Sequence, residues 1–174
     1  MTVKLDDRNL YLVGFMASGK TDTSVILGPR MKREIRDTDA RIVELMGMPI
    51  SDIFDRYGEA HFRHIETDIV LEAYRQRQRK LIVSTGGGAF CQSPNRDLML
   101  ESGVVVWLDV ELPIIRERLK DGTDRPFARD PARMEALYWE RRPLYGRAHH
   151  RVHIGVEVPA EEVAERVLHA IGWE

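Results

Sequence analysis

The chain has one cysteine, Cys91, so no disulfide can form within it, and a small secreted scaffold stapled by such bridges is excluded. No apolar run approaches the length of a membrane span. Met1 to Arg8 is polar with no apolar core behind it, so no signal peptide is expected, and the expected compartment is the cytoplasm. The net charge is only -2, which gives no general reason to expect nucleic acid or an anionic membrane as partner. Internal repeats and low-complexity tracts are absent. Lysine occurs only at 4, 20, 32, 80 and 120, so most positive charge is arginine. Genome composition accounts for most of that bias, but arginine also suits two-pronged binding of carboxylate and phosphate.

What is present fits one globular domain. The 174 residues are 43% apolar and 31% charged, enough for a core of their own. The most informative stretch is Gly14-Phe15-Met16-Ala17-Ser18-Gly19-Lys20-Thr21, a match to the phosphate-loop pattern. Asn9 to Val13 before it reads as a buried parallel strand, and Thr23 to Leu27 after it as a first helix. Glycines there let backbone N–H groups converge on phosphate oxygens at a helix start. Lys20 would reach the β- and γ-phosphates, and the Thr21 hydroxyl would ligate Mg²⁺.

Strands and helices alternate along the rest, which predicts an α/β fold with a parallel sheet. Candidate strands are 9–13, 34–37, 80–84, 104–108 and 151–154. Helices are expected from Pro94 to Glu101, over Ile114 to Leu119 behind Pro113, and from Pro159 onward. In the last, Val163, Val167, Leu168 and Ile171 form one apolar stripe before Gly172. Residues 38–79 carry no strand signal and read as a helical insert of three stretches. Their apolar faces are Ile42, Leu45 and Met46, then Ile50, Ile53 and Phe54, then Phe62, Ile65, Ile69 and Ala73. Residues 121–130 are polar and turn-rich and are expected to be a mobile loop.

Two further groups carry chemistry. Asp37-Thr38-Asp39 follows the second strand, where one carboxylate would hold Mg²⁺ through water and the other would take a proton from a substrate hydroxyl. Asp39 is equally well a helix cap. Gly86-Gly87-Gly88 follows the third strand, where backbone must lie against a ligand or adopt positive φ. All three features fall at strand C-terminal ends, which border the ligand crevice of an open α/β sheet. Arg63 and Arg141, aimed into one cleft, would suit a small carboxylate. Arg125 would swing over a transferring phosphate from the polar loop. His149, His150 and His153 lack metal-site spacing and read as surface histidines. Cys91 reads as packing.

These stretches, together with Gly58-Glu59-Ala60-His61-Phe62-Arg63-His64-Ile65-Glu66 and Arg141-Arg142-Pro143-Leu144-Tyr145, resemble the shikimate kinase family in order and spacing. The resemblance implies a three-layer phosphate-loop NTPase fold with a central five-stranded parallel sheet, a helical substrate-binding insert and a mobile lid. It implies transfer of the γ-phosphoryl group of ATP to the 3-hydroxyl of shikimate, in aromatic amino-acid biosynthesis, by a monomer using ATP and Mg²⁺. Lys20, Asp39 and Arg125 would be catalytic. Gly14, Ala17, Ser18, Gly19, Lys20, Thr21, Asp22, Arg118 and Arg125 would bind nucleotide, with Arg118 beside adenine. Asp39, Arg63, Gly86, Gly87, Gly88 and Arg141 would bind shikimate, and Thr21 and Asp37 would serve the metal.

The chain departs from the family pattern mainly around the nucleotide. Ala17 replaces a glycine, which the loop pattern permits if φ there is negative. Asp22 stands where a small hydroxyl residue is usual. Gly28-Pro29 falls inside the expected first helix, where proline should cost about 3 kcal/mol or end the helix early. Arg36 at an otherwise apolar strand position suggests an edge strand. No arginine occurs in Val152 to Pro159. Two alternatives stay open at this point: a binding protein of the same fold with impaired ATP use, and a kinase of another small hydroxylated metabolite.

Overall fold

The structure is a computed structural model that describes residues 6–75, 80–120 and 130–173. The expected lid around Arg125 and the end of the third insert stretch near Arg79 lie outside these residues, apart from Asp130. Five strands, β1 (Asn9–Val13), β2 (Glu34–Asp37), β3 (Leu81–Ser84), β4 (Gly103–Val110) and β5 (His150–Ile154), form one sheet in the order β2-β3-β1-β4-β5. Every pairing is parallel. The three central strands are buried throughout, as their near-continuous Val, Ile and Leu content requires when helices cover both faces. β2 is an edge strand and its Arg36 is only partly buried, as the sequence suggested.

The helices are α1 (Lys20–Met31), α2 (Thr38–Met46), α3 (Ile50–Arg75), α4 (Ser93–Ser102), α5 (Leu112–Leu119), α6 (Pro131–Tyr145) and α7 (Ala160–Ala170). α3 breaks at Gly58, where φ is 81° and ψ 168°, so the insert has the three expected stretches. Ile42, Ile53, Phe62, Ile65 and Ile69 bury a second small core there, separate from the one around the sheet. Leu45 does not join it and is 60% exposed, because only one side of the short α2 packs on α3. α7 packs its expected stripe against α1.

Pro29 does not end α1 early. It lies in the last turn, and Val25, whose carbonyl loses the usual N–H partner, sits on the solvent side at 57% exposure. Lys32 then closes the helix in the left-handed conformation, its N–H shared between the Gly28 and Pro29 carbonyls.

Candidate active site

The strand order reverses at β1, so the loops after β1, β2 and β3 open on one edge of the sheet. After β1 the phosphate loop turns through Gly14 at φ 147° and Gly19 at φ 85°. Lys20 begins α1 and folds back over the loop, donating to the Gly14 carbonyl at 2.9 Å, the Phe15 carbonyl at 2.8 Å and Ser18 Oγ at 3.1 Å. The ammonium thus occupies the concavity that the loop forms. Ala17 has φ 56°, so the condition under which the loop pattern accommodates it without strain, a negative φ, is not met. An alanine in this region carries strain of about 1–2 kcal/mol that glycine would not.

At the end of β2, Asp37 rather than Asp39 caps α2, accepting from the Ala40 N–H at 3.0 Å. Its second oxygen accepts from the Thr21 hydroxyl at 2.7 Å. A hydroxyl and a carboxylate, both hard oxygen donors, therefore meet at the mouth of the loop and fit a magnesium ion. Asp39, two residues further, turns its carboxylate toward Gly86 in the glycine run after β3.

Those glycines answer to close approach, not to positive φ, which none of Gly86, Gly87 and Gly88 adopts. A Cβ on Gly86 would lie 2.7 Å from both Asp39 Oδ1 and Glu66 Oε1, and one on Gly88 would lie 2.6 Å from Arg63 Cζ. The Gly86 N–H donates to Thr38 Oγ1 at 2.9 Å, and the Tyr145 hydroxyl donates to the Gly87 carbonyl.

Two hollows result. A cleft of about 620 Å³ is lined by Ala17 to Thr23, Asp37, Asp39, Arg118, Glu157 and the start of α7. A smaller pocket of about 30 Å³ is lined by Met16, Asp39, Ile50, Phe54, Phe62, Arg63, Glu66, Gly86, Gly87, Gly88 and Arg141. Arg63 and Arg141 are thus brought together, and Asp39 lines both hollows. Arg118 lies in the larger cleft, donating to the Ala17 carbonyl at 2.9 Å and to both oxygens of Glu157. Asp22 lines the same cleft and is exposed. Arg125 lies outside the described residues.

A profile of the family described as shikimate kinase matches residues 16–172. The chain is 40% identical to the shikimate kinase of Sulfurihydrogenibium sp. (strain YO3AOP1) over 91% of its own length and 95% of that protein's. It is 46% identical to the shikimate kinase of Synechococcus sp. (strain CC9605), over 95% of its length and 83% of the relative's. The chain belongs to the shikimate kinase family. Among solved structures, the shikimate kinase of Acinetobacter baumannii in complex with shikimate superposes with a TM-score of 0.88 at 32% identity, covering 95% of this chain and 93% of that one. A gluconokinase from Sinorhizobium meliloti 1021, at 18% identity and TM-score 0.58, shares the fold alone.

For a shikimate kinase, the pocket holds one group to which the sequence reading gave no role. Glu66 is fully buried and accepts from Arg63 at 2.8 Å. Its pKa is raised by burial, an effect opposed by Arg63. Its three-residue spacing from Arg63 on a helix is the signal that would have found it. Glu157, also unread, takes the charge of Arg118 in the stretch that lacks an arginine. Burial pushes the Cys91 thiol up, which fits packing rather than reactivity. Among the described residues no histidine group could hold a metal, although Asp109 and Glu111, distant in sequence, do approach His153.

Proposed function

We propose that this chain transfers the γ-phosphoryl group of ATP to the 3-hydroxyl of shikimate, giving shikimate 3-phosphate for aromatic amino-acid biosynthesis. The observation that carries the reading is Asp39, whose side chain borders both the phosphate-loop cleft and the arginine-walled pocket. Phosphoryl transfer asks of a protein mainly positioning and charge stabilisation. ATP lies along the cleft, its phosphates against the loop amides, with Lys20 moving from its own carbonyls to the β- and γ-phosphates. Thr21 and Asp37 hold magnesium, which supplies charge neutralisation at the phosphates. Arg63 and Arg141 grip the shikimate carboxylate, and the glycine wall lets the ring approach. Asp39 accepts the proton of the attacking hydroxyl as its oxygen bonds phosphorus and ADP departs. Arg125 covers the transferring group from the lid.

The same reading takes the chain as one domain, with residues 38–79 as substrate-binding insert and 121–130 as lid. It works in the cytoplasm as a monomer, since one chain supplies both walls of the pocket. No described helix is long and apolar enough to cross a membrane. The two alternatives are not favoured: the family is that of shikimate kinases, and the likeness to a gluconokinase extends to fold only.

A coupled assay following ADP release with ATP, Mg²⁺ and shikimate tests the proposal. Shikimate-dependent turnover is expected. Folded protein with no turnover above background would refute it, and turnover of gluconate instead would move the activity to another substrate.

A further inference from the structure

Asp109, near the C-terminal end of β4, is 1% exposed, yet it belongs to neither hollow. Two guanidinium groups and one imidazole converge on it. Arg142 comes from α6 with both terminal nitrogens, Nη1 to Oδ1 and Nη2 to Oδ2 at 3.1 Å. Arg151 comes from β5, with Nε at 2.7 Å. His153 Nδ1 lies at 3.4 Å. The Arg142 guanidinium also lies over the rings of Trp107, Tyr138 and Trp139, at 5.1, 5.3 and 5.8 Å from their centroids. A buried carboxylate is costly unless paired, and removing its partner leaves an uncompensated charge. This one ties α6 to the sheet by a two-pronged, charge-assisted contact.

Arg142 directly follows Arg141. One residue along a helix is a turn of about 100°, so the two side chains leave α6 in different directions. Arg141 enters the arginine-walled pocket, and Arg142 runs to β4. We propose that Arg142, held by Asp109, is a positioning residue that sets the rotation of α6 and thereby the place of the Arg141 guanidinium. The inference rests on the shikimate kinase reading, since Arg141 is there a carboxylate ligand. The lever is short. At a side-chain radius of about 5–6 Å, a helix rotation of about 10° moves the guanidinium by about 1 Å. A misplacement of that size lowers rates by up to about 100-fold. Two neutral bonds hold the same helix face, Tyr138 to the Val110 carbonyl at 2.9 Å and Tyr145 to the Gly87 carbonyl. Arg142 supplies the ionic one between them.

The experiment compares Arg142→Met, Arg142→Lys and Arg151→Met in the full chain. Methionine keeps length over the aromatic rings and removes the fork. Arg151→Met releases the same carboxylate from the β5 side, away from α6, and so controls for stability. For Arg142→Met, the KM for shikimate should rise about tenfold or more with the KM for ATP unchanged, and Arg142→Lys should recover part of the loss. Arg151→Met should lower the thermal midpoint without moving the KM for shikimate. An unchanged KM for shikimate in folded Arg142→Met would overturn the inference, as would an equal rise in Arg151→Met. If Arg142→Met does not fold, Arg142→Lys carries the same comparison. Wild-type protein that does not turn over shikimate would instead overturn the reading on which the inference rests.

Discussion

Arg63 donates to Glu66 at 2.8 Å, and the Glu66 carboxylate has no exposure to solvent. Asp39 and Arg141 are close enough to influence its charge. The buried Glu66 carboxyl therefore sits behind the pocket, paired with Arg63 and holding it in place before any substrate carboxylate arrives. Such pre-ordering lowers the rotamer entropy lost on binding.

Glu66→Gln keeps the volume and removes the charge. The Arg63 guanidinium then loses its closer ionic partner and keeps only Glu59 at 3.4 Å, the lost contact being worth about 1.5–3 kcal/mol for a hydrogen bond between charged groups. We expect the KM for shikimate to rise about tenfold and the KM for ATP to stay within about twofold, on the reasoning that one lost orienting contact costs about 1.4 kcal/mol. Saturation kinetics in each substrate decide it. Equal changes in both constants would show that Glu66 supports the fold and not the clamp.

Gly88→Ala tests the glycine wall. Its Cβ would fall 2.6 Å from Arg63 Cζ, the far end of a flexible side chain, so the chain should fold with the guanidinium displaced. Gly103→Ala is a contrast, because there the Cβ would meet the Asn9 carbonyl at 2.5 Å, backbone against backbone. Gly88→Ala should keep its thermal midpoint and bind shikimate more weakly in calorimetry, whereas Gly103→Ala should lose stability. Unweakened shikimate binding in Gly88→Ala would remove the steric account of the triple glycine.

Much of this was legible in the residues. β1 and β2 begin and end where the alternation placed them, and β3, β4 and β5 differ by one or two residues at their ends. The three central strands are legible because both faces are buried and their positions are nearly all apolar, whereas the edge strands β2 and β5 keep polar, partly exposed positions. α6 was not read as a helix. Its buried face is Met134, Tyr138, Arg141 and Tyr145, and an arginine among them, with Pro143 inside, breaks the apolar period. The partners of Arg63, Arg118 and Arg142 divide in the same way. Glu66 is three residues from Arg63, but Glu157 and Asp109 are distant in sequence and only the fold brings them near. The sign of φ at Ala17 was not legible, because loop closure and not residue preference sets it.

Ala17→Gly should therefore be stabilising. Relief of left-handed strain is worth about 1–2 kcal/mol, and the added freedom of the unfolded chain returns about 0.4–1 kcal/mol. A net gain of about 0–1.6 kcal/mol is expected from these terms, with turnover retained. Denaturant unfolding measures it, and a loss of stability would mean that the Ala17 methyl contributes packing that outweighs the strain.

A pH effect arises at the start of β5. His149 Nδ1 accepts the Val105 N–H at 3.0 Å, which requires a neutral ring. Burial, with His150 and Arg8 nearby, lowers its pKa below the ordinary 6.5. Below that value the unfolded chain takes up a proton that the folded chain refuses, so stability falls on acidification. Between about pH 7.5 and about pH 5.5, wild-type protein should lose more of its thermal midpoint than His149→Asn, whose amide oxygen accepts without titrating. Parallel losses in the two proteins would assign the acid sensitivity elsewhere.

Lys20 carries the last prediction. Its ammonium is nearly buried and bonds three acceptors of its own loop, so it is a strut as well as a phosphate ligand. Lys20→Ala removes both functions, and turnover should fall by about a hundred- to a thousandfold or more, the usual effect of losing one preorganised donor. Loss of turnover alone would not separate the two roles. Lys20 does not line the arginine-walled pocket, so shikimate binding measured by calorimetry should survive the substitution while ATP binding weakens. Turnover at the wild-type rate would show that the loop is not where phosphate is held. If shikimate binding is lost along with ATP binding, the strut matters to both hollows, and the two substrates are coupled through the loop.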